Sequence, residues 1–170
     1  MQMQKLTPFI WFNDGAEEAA EFYVSVFTKA GEKAGISGIS HYPKVTEKVS
    51  GKPAGSVMTV AFNLAGQDFI AINGGEPFRL SEAFSLTINC DTQEEIDYYW
   101  ETLKEGGDEK SQICGWLKDR FGLSWQIMPT FIEKMLQDQD KNKVERVMAA
   151  VLDMKKINMA QLQEAYEGKK

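Results

Sequence analysis

Few side chains in this sequence are of the types that combine for acid–base or nucleophilic chemistry. The chain has one histidine, His41, and two cysteines, Cys90 and Cys114, which form no CxxC or zinc-site pattern. A reactive thiol needs a neighbouring base or a positively charged environment, and no histidine lies near either cysteine in the sequence. Both cysteines fall in strand-like segments, where cysteine is usually a small apolar core residue. We therefore interpret the cysteines as structural and His41 as a surface or hydrogen-bonded residue.

The paired acidic residues also have a structural interpretation. The glutamate pairs at 17–18 and 94–95 lie in the first turns of predicted helices, where the helix dipole favours negative charge. Asp119 and Arg120 lie in a predicted hairpin turn, where a turn hydrogen bond or a local ion pair is expected. None of these pairs predicts a catalytic dyad.

Composition and charge exclude several classes of partner. The 170 residues carry a net charge of −6 and include no dense cluster of Lys and Arg, so binding to nucleic acid is not expected. No apolar run approaches the roughly 18 residues that a membrane span needs, and the first residues do not resemble a signal peptide. Two thiols without a secretion signal indicate a cytoplasmic protein.

One segment of the chain occurs twice. Residues 14–26 and 91–103 share an acidic start, a pair of glutamates and an aromatic pair, at a constant offset of 77. Each copy follows an apolar or alternating run, so each predicts a strand followed by a helix. A duplicated unit at this spacing predicts a pseudo-symmetric fold with a cleft between its halves.

The elements around each copy follow the same order. The first half predicts strands at 5–12, 36–45, 56–64 and 67–73, and a helix begun by a capping box of Asp14 and Glu17. The second half predicts a strand at 84–89, a helix capped by Asp91 or Thr92, and a hairpin of strands 113–117 and 124–128. A weaker signal predicts a further strand near 109–112.

The composition changes to helix after Pro129. Apolar stripes begin at Phe131 and Val144, and Asn158 with Gln161 is a typical helix cap. This tail stands outside the repeat, so it either covers the core or contacts a partner. We predict a domain at 1–129, with modules at about 5–74 and 83–129, and a helical extension at 130–170.

The repeated order strand–helix–strand–strand–strand resembles the vicinal oxygen chelate superfamily, which includes glyoxalases, bleomycin-resistance proteins and extradiol dioxygenases. Several segments resemble its PhnB-like family, which is also labelled as a 3-demethylubiquinone methyltransferase domain. The most specific segment is Trp-Leu-Lys-Asp-Arg-Phe-Gly at 116–122. Other matching segments lie at 7–12, 16–23, 73–75, 90–95, 114–115 and 125–126. The resemblance implies an α+β, glyoxalase-like domain of two βαβββ modules, followed here by C-terminal helices.

The resemblance also implies where a metal would bind. Metal-using members carry His or Glu ligands at the start of the first strand and in the middle of the last strand of each half. Those positions fall at 6–8 and 83–85, and at Ile70 and Gln126, none of which is His, Asp or Glu. Glu82 lies one residue from a ligand position. We therefore predict a cleft without the usual metal ligands and without a cofactor.

Strand alternation predicts which side chains line that cleft. If Gln126 faces it, then Trp125 and its counterpart Phe69 pack under the helices. In the same way, alternate residues from Phe84 to Ile88 face the helices, whereas Ser85, Thr87 and Asn89 face the cleft. The predicted ligand-binding residues are Phe12, Ile70, Glu82, Ser85, Thr87, Trp116 and Gln126.

Three functions remain open at this point. The preferred hypothesis is a homodimeric protein that binds a small polar or aromatic molecule without metal. An alternative is a metal-dependent enzyme with atypical ligands such as Glu82 or His41. The third is the methyltransferase that the family label names, although the chain has no Gly-rich cofactor turn between a strand and a helix.

Overall fold

The strand pattern of the first half of the sequence folds into a mixed four-stranded sheet. The computed structural model describes residues 4–169, and the first of its two units lies within residues 4–80. The strands are β1 (Phe9–Phe12), β2 (Ala34–His41), β3 (Val57–Leu64) and β4 (Gln67–Asn73), in the order β1-β4-β3-β2. β1 runs parallel to β4, and the other neighbours are antiparallel.

One face of this sheet is buried beneath helix α1 (Ala16–Lys29). Tyr23 and Val26 of the helix are buried, as are Val60 and Phe62 of β3. Phe62 stacks on Phe69 with ring centroids 5.4 Å apart. Burying a side chain of this size stabilises the folded state by roughly 1.5–3 kcal/mol. This buried face is therefore the core of the unit. A short helix, α2 (Glu47–Ser50), lies in the connection between β2 and β3.

The second unit contains a three-stranded sheet and helix α3 (Gln93–Leu103). Its strands are β5 (Ser85–Cys90), β6 (Trp116–Lys118) and β7 (Ser124–Pro129), in the order β5-β7-β6. β5 is parallel to β7, and β6 is antiparallel to it. Ile96 and Leu103 of α3 and Trp125 and Ile127 of β7 are all buried, which confirms the predicted core position of Trp125.

The strand predicted near 109–112 is wrong. Residues Glu109–Ser111 form a short 3-10 helix, and the second sheet has three strands over the described residues. The Asp108 carboxylate accepts from the Lys110 N–H at 3.0 Å, and the Ser111 hydroxyl donates to the Asp108 carbonyl at 2.6 Å. Such local side-chain bonds compete with a strand ladder for the backbone groups.

The two helix starts are built differently. Thr92, one of the two residues predicted to cap α3, does so and forms a capping box with Glu95. The predicted cap by Asp14 is wrong, because the N-cap of α1 is Gly15, at φ 83° and without a side-chain cap bond. Asn73, at the end of β4, supplies the missing acceptor, and the Ala16 N–H donates to its Oδ1 at 2.8 Å.

A difference in connector length accompanies this change of cap. The helix starts Ala16 and Gln93 are offset by 77, whereas the strand ends Phe12 and Cys90 are offset by 78. The first connector is therefore one residue longer than the second.

The helical tail packs within the second unit. Its helices are α4 (Ile132–Leu136), α5 (Lys141–Leu152) and α6 (Met159–Glu167), and Asn158 caps α6 as predicted. The carbonyls of Met154 and Lys155 accept from the N–H groups of Cys114 and Gly115, both at 2.8 Å. Of the two roles left open for the tail, the structure therefore shows the covering one. None of the helices among residues 4–169 has the length and apolarity to cross a membrane.

Candidate functional site

Two rows of three side chains lie on the face of the second sheet that points away from α3, and Asn89 and Met128 lie beyond them on the same face. Strand register places Ser85, Ser124 and Lys118 side by side in one row, and Thr87, Gln126 and Trp116 in the next. Side chains directly opposite on neighbouring strands lie about 4.5–5.5 Å apart between Cβ atoms, which is close enough for two of them to contact one small molecule. We call these six residues the polar array.

Gln126 joins the two rows. Its Nε2 donates to the Ser85 hydroxyl at 2.9 Å, and its side chain is half-buried. Trp116, its partner in register on β6, is also half-buried. A fixed amide beside an aromatic ring offers both a hydrogen-bonding group and an apolar surface to a ligand.

Lys118 is the one positively charged residue of the array. Its Nζ forms an ion pair with the carboxylate of Glu82, whose side chain is 60% exposed, compared with 22% for Lys118. The hydrogen bond from Lys118 lowers the pKa of Glu82. The backbone of Lys118 is held in place, because its N–H donates to the Ser111 hydroxyl at 2.7 Å.

Ser124 is the least expected member of the array. Its side chain is only 2% exposed, and among the described residues its hydroxyl has no hydrogen-bond partner. Burying an unpaired hydroxyl costs about 1–3 kcal/mol, so native proteins keep few of them. An unpaired hydroxyl in a row with Ser85 and Lys118 marks a place where a bound molecule would gain a hydrogen bond.

Asp119 holds the loop that sets the register of β6 against β7. This carboxylate is 3% exposed and accepts from the Phe121 and Leu123 N–H groups at 2.8 and 3.0 Å. Its second oxygen accepts from the indole Nε1 of Trp125 at 2.7 Å. The predicted turn hydrogen bond of Asp119 is confirmed, and the same carboxylate also anchors the core side of β7.

The hairpin turn before Trp116 is fixed from outside by the tail. Cys114 and Gly115 both have positive φ, 54° and 81°, the pattern of a type I′ turn. The tail carbonyls of Met154 and Lys155 accept from these two residues. Gly115 is favoured by its φ of 81°, where a Cβ is strained, and an added Cβ would also lie 3.1 Å from the Ile127 carbonyl oxygen. The tail therefore supports the end of the array that Trp116 occupies.

The corresponding face of the first sheet is mostly apolar. Register places Phe9, Ile70 and Ala61 in one row, and Trp11, Ile72 and Thr59 in the next. The indole of Trp11 donates to the Gly75 carbonyl at 3.0 Å, and its ring meets the Phe78 ring with centroids 5.0 Å apart. An added Cβ at Gly74 would lie 2.1 Å from the Trp11 ring, so Gly74 is needed for this close approach.

The structure brings together most of the predicted site residues. Ser85, Thr87, Trp116 and Gln126 lie in the polar array, and Glu82 pairs with its lysine. Ile70 lies on the open face of the first sheet, between Phe9 and Ala61. Their roles in ligand binding remain predictions.

Phe12 requires a correction. It is in register with Asn73, which bonds the start of α1, and it is 5% exposed. Phe12 therefore belongs to the core beneath α1, because strand alternation gives it the orientation of Ile10 rather than that of Trp11.

Lys118 and Ser124 are array residues that the sequence reasoning missed. Each lies two positions from a predicted site residue on the same strand, Trp116 and Gln126 respectively. The alternation that identified Gln126 contained this signal.

Cys90 and His41 lie outside the polar array. Burial, together with the negative charges of Glu95 and Asp91, raises the pKa of the Cys90 thiol to about 12, so this thiol stays protonated at neutral pH. His41 is exposed at the end of β2. Within residues 4–169, no three His, Cys, Asp or Glu side chains are grouped as a metal site requires, so the residues present do not fit the metal that the fold family often carries.

Comparison with known proteins gives a consistent family. The sequence profile of the family described as 3-demethylubiquinone-9 3-methyltransferase matches residues 4–128. A putative 3-demethylubiquinone-9 3-methyltransferase, PhnB protein, from Bacillus cereus is 34% identical, with a TM-score of 0.60, and the match covers 74% of this chain and 99% of that one. A comparison with curated proteins gives no match.

More distant structures show the same fold. Protein PA1353 from Pseudomonas aeruginosa is 20% identical, with a TM-score of 0.52 over 75% of this chain and 98% of that one. The fosfomycin resistance protein FosX from Listeria monocytogenes is 15% identical, with a TM-score of 0.52 over 81% of this chain and 100% of that one. Together with the family match, these structures support the vicinal oxygen chelate superfamily.

Proposed function

The chain belongs to the 3-demethylubiquinone-9 3-methyltransferase family, and we propose that it binds a small polar or aromatic molecule on its polar array without a metal ion. The observation that carries this proposal is the buried, unpaired hydroxyl of Ser124 in a row with Ser85 and Lys118. When a ligand binds, the Ser124 hydroxyl gains a hydrogen-bond partner. The free-energy cost of burying this hydroxyl unpaired is then offset in the bound state.

The other array residues suit binding better than catalysis. Gln126, Thr87 and Ser85 offer neutral donors and acceptors, and Trp116 offers an aromatic surface. The carboxylate next to the array, Glu82, is already paired with Lys118. The hydrogen bond from Lys118 lowers the pKa of Glu82, so this carboxylate is a weaker base than an unpaired one.

Amide NMR tests the location of the site. We expect small carbonyl or hydroxyl compounds, aromatic ones included, to shift the amide signals of β5, β6 and β7 in a fragment screen of the full chain. Gln126→Ala should weaken the best of these compounds about tenfold, the effect of losing roughly 1.4 kcal/mol of hydrogen bonding. Gln137→Ala is the matched control, since Gln137 is exposed in the same unit but outside the array.

Two results would reject the proposal. The first is a screen in which bound fragments shift amides elsewhere and leave the three strands unchanged. The second is equal weakening by Gln126→Ala and Gln137→Ala, which would show that the array is not the contact surface.

The metal-dependent alternative has a direct test of its own. Its two atypical ligands, Glu82 and His41, lie in different units, and Glu82 is ion-paired. Elemental analysis of protein purified without chelators should find no stoichiometric metal. A metal content near one per chain would favour this alternative over the proposal.

Methyl transfer is supported by the name of the family, 3-demethylubiquinone-9 3-methyltransferase. The connector between β1 and α1, Asn13-Asp14-Gly15, has no Gly-rich cofactor turn, and neither sheet is all-parallel. We therefore expect no binding of S-adenosylmethionine in calorimetry. Micromolar affinity would make methyl transfer the better proposal.

Two further properties remain proposals. A homodimer is suggested by exposed apolar side chains at Leu152 of α5 and at Phe78, and a monomeric mass in light scattering at micromolar concentration would overturn it.

Cytoplasmic location rests on the free thiols Cys90 and Cys114, and fractionation of the native cells tests it.

A further inference from the structure

We propose that the molecule bound by the polar array carries a carboxylate, and that Glu82 is an internal carboxylate which occupies Lys118 until the ligand displaces it. This inference rests on the proposed function and names the chemical class of the ligand. It combines two independent observations in the second unit: the ion pair of Lys118 with Glu82, and the unpaired hydroxyl of Ser124.

The charge of the array favours an anion. Lys118 is the single basic residue among the six, and its partner Glu82 comes from the segment before β5 rather than from the sheet. The Glu82 side chain is 60% exposed, so it can leave the lysine without unfolding a buried element. Exposed ion pairs are weak, typically below about 1 kcal/mol, so a ligand carboxylate that makes additional bonds can replace Glu82.

Ser124 provides the additional bond, and because its hydroxyl is buried in the free protein, the ligand reaches it only when the Lys118–Glu82 pair opens. Ser124 is the register partner of Lys118, in an antiparallel pair where facing side chains lie about 4.5–5.5 Å apart. A carboxylate has two oxygens that accept hydrogen bonds at once, so one oxygen can take the Lys118 ammonium and the other the Ser124 hydroxyl. In the free protein Lys118 is paired with Glu82 while the Ser124 hydroxyl is left unpaired. A ligand carboxylate that bonds to both Lys118 and Ser124 therefore forms one more hydrogen bond than Glu82 does when it pairs with Lys118.

Trp116 extends the site toward an apolar ligand body. It lies on β6, two residues before Lys118, and therefore on the same face of the sheet. Its half-buried ring can cover a flat or aliphatic group attached to the carboxylate. Benzoate is accordingly a suitable probe, and benzamide is its neutral counterpart of the same shape.

The experiment is an NMR titration of the full chain with benzoate and with benzamide. We expect benzoate to shift the amides of β6 and β7 and to bind more tightly than benzamide. Lys118→Met should remove this preference for benzoate. Glu82→Gln should tighten benzoate about three- to fivefold, because it frees the lysine from an exposed ion pair. Matched controls are Lys104→Met and Glu101→Gln, an ion pair on α3 outside the array.

The outcomes separate this inference from the proposed function. If benzamide and benzoate shift the array equally, the array binds small molecules but the carboxylate inference is wrong. If benzoate at tens of millimolar shifts no array amide in either the unchanged protein or Glu82→Gln, the inference is also wrong. If the fragment screen fails at the array as well, the proposed function itself is rejected. Weaker benzoate binding in Glu82→Gln would show that Glu82 contacts the ligand rather than competing with it.

Discussion

The two sheets of this protein share strand pairing but differ in the chemistry of their open faces. Ile70 and Gln126, each in the middle of the last strand of its sheet, stand in rows of opposite character. The first row is Phe9, Ile70 and Ala61, whereas the second is Thr87, Gln126 and Trp116. Strands β1, β4 and β3 therefore pair in the same way as β5, β7 and β6 but carry outward side chains of different character, since the core does not constrain them.

The loops that join the last two strands of each sheet also differ. The β3–β4 hairpin turns through Ala65 and Gly66, both at positive φ, 49° and 87°. The loop between β6 and β7 also contains a glycine at positive φ, Gly122 at 87°, and is bonded in addition by the buried carboxylate of Asp119. Both chain reversals therefore use a glycine at positive φ, and the second adds a buried carboxylate as an anchor.

The largest expected effect is at this loop. Asp119→Ala removes three hydrogen bonds to a buried carboxylate and leaves the Trp125 indole N–H without that acceptor, so the free energy of unfolding should fall by about 3 kcal/mol. Asp68→Ala in the first hairpin should cost about 1 kcal/mol, since Asp68 is half-buried and accepts from Asn63. Urea unfolding followed by circular dichroism measures both. Equal losses would show that the two hairpins are supported alike.

The next largest difference in unfolding free energy is expected between variants of the α1 and α3 caps. Asn73 is 3% exposed, accepts from Ala16, and donates to Glu17 and to the Val57 carbonyl. Asn73→Ala should therefore cost about 2–3 kcal/mol, since it leaves several buried groups unpaired. Thr92→Ala removes an ordinary exposed cap of α3 and should cost about 1 kcal/mol. Thermal unfolding of the two variants compares them, and a larger loss for Thr92→Ala would contradict this account.

Ser124→Ala should change stability and binding in opposite directions. Removing an unpaired buried hydroxyl should raise the free energy of unfolding by up to about 1 kcal/mol, while affinity for an array ligand falls. Ser25→Ala on the exposed surface of α1 should change neither. Denaturant unfolding and NMR titration measure the two quantities on the same samples. A loss of stability in Ser124→Ala would mean that the hydroxyl already has a partner, and the proposed site would be rejected.

The smallest effect is the titration of Glu82. Its pKa is lowered by the hydrogen bond from Lys118, so its contribution is present above the carboxyl's ordinary value of 4.5 and is lost as pH falls through the lowered value. Carbon-detected NMR should show Glu82 titrating below 4.5, and returning toward 4.5 in Lys118→Met. An unchanged titration in Lys118→Met would show that the ion pair does not hold Glu82 in solution.

Much of the fold could be predicted from local patterns. The strand Gln67–Asn73 and the cap of α3 by Thr92 match the predictions, since alternation and capping depend on residues close in sequence. Alternation also placed Gln126, Ser85 and Thr87 on one face. The strand near 109–112 failed because Asp108 and Ser111 bond the local backbone, which a weak β-pattern does not reveal.

The sequence by itself determined most of the strands and helices and which side chains of β5 and β7 share a face, because both arise from neighbours within a few residues. Only the tertiary structure decided that Asn73 caps a helix 57 positions away in the chain, and that Glu82 meets Lys118 across 36 positions. It also decided that Phe12 lies in the core and that Ser124 is buried without a partner. These outcomes depend on register and packing between distant segments, which no local pattern encodes.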